Sequence, residues 1–94
     1  MRTIWKWTLS VEHCQTLPLP KGGRILTVQG QGDKLSLWAE VDPDAPLEPC
    51  FIEIFGTGHS TPDDDRVSRT YLGTVQLLDG VLVLHVYLRE EPST

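Results

Sequence analysis

The chain is predicted to be all-β, a small six-stranded antiparallel β-sandwich or partly open barrel. Apolar and polar residues alternate along nearly all of its 94 residues, whereas the three-to-four spacing of an amphipathic helix is almost absent. The alternating runs are separated by clusters of Gly, Pro and Asp, the residues that turns require. The length predicts one domain over residues 1–90 with a polar tail at 91–94. A chain this short buries only about 60–65% of the surface its unfolded form exposes, which argues against a deep catalytic cleft.

In residues 4–9 Trp5, Trp7 and Leu9 share one face and Lys6 and Thr8 the other, a half-buried first strand. Residues 13–20 hold at most a short edge strand, because Pro18 and Pro20 have no N–H to give to a ladder. Gly22 and Gly23 lead into a strand over 24–29, and the loop at 30–34 returns the chain as a strand over 35–41. There Leu35, Leu37, Ala39 and Val41 share a face, and Trp38 falls on the other with Ser36 and Glu40. The proline-rich, acidic stretch 42–49 is expected to be irregular, 50–55 to be a strand, and 69–77 with 81–88 to form a hairpin around Asp79-Gly80. The last strand is apolar on both faces except for His85, so a central position or an oligomer interface is expected for it.

Charge is distributed unevenly. The net charge is −5, and residues 35–65 carry eight acids (Glu40, Asp42, Asp44, Glu48, Glu53, Asp63, Asp64 and Asp65) with no Lys or Arg. Direct binding to duplex nucleic acid needs clustered bases and is not expected. No apolar run approaches the roughly 20 residues that span a bilayer, and "MRTIWKWTLS" does not read as a signal peptide. A cytoplasmic protein with no membrane partner is expected, its Cys14 and Cys50 reduced and partly buried.

The candidate site is "FGTGHSTP" at 55–62. Two glycines let backbone amides converge on an anion, and hydroxyls and a histidine add donors, so Gly56, Thr57, Gly58, His59, Ser60 and Thr61 are candidate ligand-binding residues, with Arg66 and Arg69 nearby. Trp38 is the candidate stacking residue. The competing view is a strand-end turn whose Thr and Ser satisfy local backbone groups. Asp63, Asp64 and Asp65 lack the alternating ligand spacing of a calcium loop, and the histidines and cysteines have no zinc-ligand spacing. No metal, no cofactor and no catalytic residues are expected: His13 beside Cys14 and His59 beside Ser60 are adjacent pairs, unsuited to proton transfer along a strand.

Read in order, "IWKW", "PKGGRILTVQ", "LWAEVDP", "GTGH" and "YLGTVQLLDGVLVLHVY" resemble a family of short phage- and prophage-encoded proteins of unknown function, over roughly residues 4–87. The resemblance implies a phage accessory protein acting in a bacterial cytoplasm, where such proteins often antagonise host defence. The expected function is a non-enzymatic binding protein that sequesters a small nucleotide-derived signalling ligand. The alternatives are an acidic protein–protein inhibitor of a nucleic-acid-handling host complex, acting through Asp42, Asp44, Asp63, Asp64 and Asp65, and a homo-oligomeric assembly protein joined through strand edges.

Overall fold

The computed structural model describes residues 1–62 and 67–90 and contains seven strands among them. They are β1 (Thr3–Leu9), β2 (Cys14–Pro20), β3 (Arg24–Gln31), β4 (Lys34–Val41), β5 (Leu47–Gly56), β6 (Ser68–Leu77) and β7 (Leu82–Glu90). Two antiparallel sheets result, one ordered β1-β4-β3 and the other β2-β5-β7-β6. The all-β class matches the sequence expectation, and the expected count of six is corrected to seven. The added strand is β2. It pairs on one side only, with β5, and an edge tolerates the missing N–H groups of Pro18 and Pro20. The same pairing draws Leu47, Glu48 and Pro49 into β5, so only 42–46 of the acidic stretch lies outside a strand.

Strand alternation builds the core. Leu35, Leu37, Ala39 and Val41 of β4 are fully buried and meet Ile52 and Ile54 of β5, Val75 and Leu77 of β6, and Leu84 and Val86 of β7 in one cluster fed by both sheets. Each fully buried Leu, Ile or Val contributes about 1.5–3 kcal/mol relative to an exposed one. β7 lies between β5 and β6, in the central position its apolar character predicts. Only β3–β4 and β6–β7 are hairpins between sheet neighbours; the chain changes sheet after β1, β2 and β4, and β5 and β6 flank β7.

Beyond the core, the sheets approach closely along β3 and β6. A Cβ on Gly73 would lie 2.8 Å from Val28 Cγ2, and one on Gly30 would lie 3.1 Å from Leu77 Cδ2. The β6–β7 register shifts between Tyr71 and Gly73, a bulge at this point of close approach. The β6–β7 loop spans 78–81 between the paired Leu77 and Leu82, so it is centred on the expected Asp79-Gly80 pair but has four residues rather than the two of a tight type I′ hairpin. Leu78, Asp79 and Gly80 take φ values of 54°, 55° and 86°, with Gly80 N donating to Leu77 O at 3.2 Å and Val81 N to Leu78 O at 3.1 Å.

Candidate functional site on the outer face of the four-stranded sheet

Because Ile52 and Ile54 enter the core, Phe51, Glu53 and Phe55 of β5 must face outward. The same parity turns His85, Tyr87 and Arg89 of β7 outward, with Arg69, Tyr71 and Thr74 of β6 beside them. Register then arranges these side chains in rows across the sheet. Arg69, Arg89 and Phe51 form one row, Tyr71, Tyr87, Glu53 and Cys14 the next, and Thr74, His85 and Phe55 the third.

Glu53 is the centre of this face. Its side chain is only 2% exposed although it points away from the core. A buried carboxylate is costly unless paired and hydrogen-bonded. Arg69 Nε donates to its Oε1 at 2.7 Å, reaching across β7 from the next row. Arg89 Nε lies 3.9 Å from the same oxygen, and His13 Nε2 lies 3.7 Å from Oε2. Among the described residues, Arg69 uses only Nε of its five-donor fork in this way.

Rings cover the cluster. His13 stands edge-on to Phe55 at 5.0 Å, Phe55 to Tyr87 at 5.7 Å, and Tyr87 is tilted against Tyr71 at 5.5 Å. These separations are those of favourable edge-to-face pairs. Tyr71 remains 56% exposed and Phe51 42%, leaving aromatic surface open next to Arg89 in its row and in the row beside Arg69. A hollow of about 180 Å³ opens beside Arg89 and Phe51, floored by Glu53 and walled by Cys14 and Thr16. In the third row His85 bonds through Nε2 to Thr57 Oγ1 at 2.7 Å and through Nδ1 to Thr74 Oγ1 at 3.0 Å, and Thr74 also bonds the Tyr71 hydroxyl.

The residues singled out from sequence are divided by this geometry. Gly56, Thr57, Gly58 and His59 form a tight turn: His59 N donates to Gly56 O at 3.1 Å, and Gly58 sits at φ 86°. The His59 ring packs on Gly56, where an added Cβ would lie 3.0 Å from its Cε1 and Nδ1. Thr57 alone of these is joined to the outer face, through His85. Ser60 and Thr61 are exposed. Arg69 belongs to the Glu53 cluster, and Arg66, Asp63, Asp64 and Asp65 lie outside the described residues. Trp38 lies on the outer face of the other sheet, half-buried between core-facing Leu37 and Ala39, and does not share a surface with Arg69. Asp42 shapes its own turn: Oδ1 accepts from Asp44 N at 3.0 Å, and its carbonyl from Ala45 N at 3.1 Å.

Sequence inspection missed Glu53, Arg89, Tyr71, Tyr87, His13 and His85 as parts of one site. The available signal was "CFIEIF", which places a carboxylate between two outward phenylalanines on a strand whose other face is isoleucine. Cys14 is exposed rather than partly buried, whereas Cys50 is half-buried, and both are free thiols. Burial, reinforced by the nearby Glu90 carboxylate, pushes the Cys50 thiol pKa up. Among the described residues no group of three His, Cys, Asp or Glu side chains converges as metal ligands, and no helix is long and apolar enough to cross a membrane.

Fold and face together define a two-sheet antiparallel β domain whose four-stranded sheet carries a charged and aromatic outer surface. The chain belongs to a domain family of unknown function, DUF7352, whose profile matches residues 1–94. No curated protein and no solved structure matches it.

Proposed function

We propose that this chain is a non-enzymatic binding protein that holds a small anionic, nucleotide-derived ligand on the outer face of β5, β7 and β6. The observation that carries the proposal is Arg69, fixed by Glu53 at 2.7 Å in the row that runs through Arg89 to the exposed Phe51, with the exposed Tyr71 two residues along the same strand. A guanidinium anchored through Nε presents its terminal nitrogens in a fixed plane, the geometry that suits a phosphate or carboxylate. Exposed rings beside it suit the face of a base. The proposed setting is the one the sequence resemblance implies, a phage or prophage protein that withholds a signalling ligand from host defence in a bacterial cytoplasm. Thr57 enters this site through His85; Gly56, Gly58 and His59 shape the turn that places it.

The test is titration of the full chain with a panel of mono-, di- and cyclic nucleotides, repeated with Arg69→Lys and Tyr71→Ala. Arg69→Lys keeps the charge but removes the fork, and is expected to weaken the best ligand about tenfold or more. Unchanged affinity in both variants would overturn the site.

A further inference from the structure

We propose that the open end of the sandwich around Cys50 is a second binding site, for a small organic cation with an apolar body. It does not depend on the anionic ligand, and the two sites touch only where Phe51 and Arg89 divide them. A hollow of about 410 Å³ opens here, where the end of β2, the start of β5 and the end of β7 meet. Small-molecule sites occupy about 300–1,000 Å³, so a compact ligand fits.

Strand parity supplies the floor. Leu17, Ile52 and Val86 enter the core, so Leu19, Cys50 and Leu88 on the same three strands point the same way. They pack against the core cluster yet stay only half-buried, which leaves apolar surface open to an occupant. Phe51, 42% exposed, adds an aromatic wall.

Charge selects the occupant. Glu48 shares the parity of Cys50 in β5 and Glu90 that of Leu88 in β7, so both carboxylates lie on the floor's side of the sheet, at its exposed rim. Arg89 borders the hollow but turns to the outer face, where its Nε lies 3.9 Å from the Glu53 carboxylate. Lys21, in the turn after β2, is the other cation on the rim. Burial raises the pKa of the Cys50 thiol and Glu90 raises it further, so the field felt at the floor is negative. An ammonium at the mouth would meet Glu48 and Glu90 and the face of Phe51, with its apolar body on Leu19, Cys50 and Leu88. A carboxylate in the same place would be repelled.

The experiment is a proton–nitrogen NMR titration of the full chain with phenethylamine, phenylacetate and phenethyl alcohol, which offer one ring with a positive, a negative and a neutral head. Phenethylamine is expected to shift the Leu19, Cys50 and Leu88 amides with a Kd of about 1–5 mM. Phenylacetate is expected to bind there about fivefold more weakly or worse, with the alcohol between them. Glu48→Gln and Glu90→Gln, both at exposed positions, are each expected to weaken the amine about twofold and leave the alcohol unchanged. If one variant does not fold, the other tests the same charge. Arg69 does not line the hollow, so Arg69→Lys is expected to leave amine binding intact, which separates this test from that of the anionic ligand. No shifts at this end of the sheet up to roughly 20 mM amine would overturn the site. Phenylacetate binding as well as phenethylamine would overturn the ligand class.

Discussion

Replacing Arg69 by Met keeps most of the apolar stem that covers the sheet and removes the one hydrogen bond that Glu53 receives among the described residues. Glu53 would remain 2% exposed and charged. Stripping a buried carboxylate of its partner costs about 3–5 kcal/mol when nothing replaces it. Arg89 at 3.9 Å and His13 at 3.7 Å remain close enough to move in, which lowers the expected loss to about 2 kcal/mol. Glu53→Gln retains an acceptor for Arg69 and removes the buried carboxylate charge, so its expected cost is about 1 kcal/mol. In the double variant neither an orphaned carboxylate nor a charge-assisted bond exists, and the expected total is again about 1 kcal/mol rather than the sum of about 3. The assay is urea unfolding of all four proteins, followed by thermal melts, where about 2 kcal/mol corresponds to roughly 8–16 °C for a domain of this size. Additive losses, or an Arg69→Met loss no larger than that of Glu53→Gln, would refute a pairing that satisfies a buried charge.

Other consequences concern the backbone and the thiols. Gly73→Ala sets a Cβ 2.8 Å from Val28 Cγ2, and is expected to destabilise by about 1–3 kcal/mol in urea unfolding, with Val28→Ala in the same chain recovering part of the loss. Leu78 is exposed and held at φ 54°, so Leu78→Asn is expected to stabilise by about 0.5–1 kcal/mol, read as a raised urea midpoint. Exposed Cys14 is expected to alkylate before Cys50, whose raised pKa delays thiolate formation to higher pH. Glu90→Gln removes one of the two causes and moves the Cys50 alkylation profile to lower pH, as followed by mass spectrometry.

Most of the fold is legible in the sequence because alternation at period two states directly which side chains enter the core. Leu35, Leu37, Ala39 and Val41, and with them the outward placement of Trp38, follow from parity alone. β2 and the start of β5 are obscured because Pro18, Pro20 and Pro49 argue against strands. Their pairing depends on β2 being an edge, which is a property of the whole sheet. The same limit hides the site. Arg69 and Glu53 are 16 residues apart, and only the insertion of β7 between β5 and β6 brings them together. Glu53, counted in sequence as one more acid in an acidic stretch, differs physically from Asp42, which folds back on its own turn. Glycines at 56 and 58 suggest an anion nest, but Gly58 at φ 86° closes a local turn and the His59 ring occupies the space over Gly56.

The most direct measurement of the proposed function is native mass spectrometry of protein purified gently from bacteria, wild type beside Tyr71→Ala, with released small molecules identified after denaturation. Tyr71 is exposed, so its loss leaves the core intact. The expected result is a discrete added mass on the wild type, identified as a phosphate-bearing nucleotide derivative and absent or strongly depleted in the variant. A wild type that carries no added mass and takes up none when nucleotides are supplied would contradict ligand sequestration on this face.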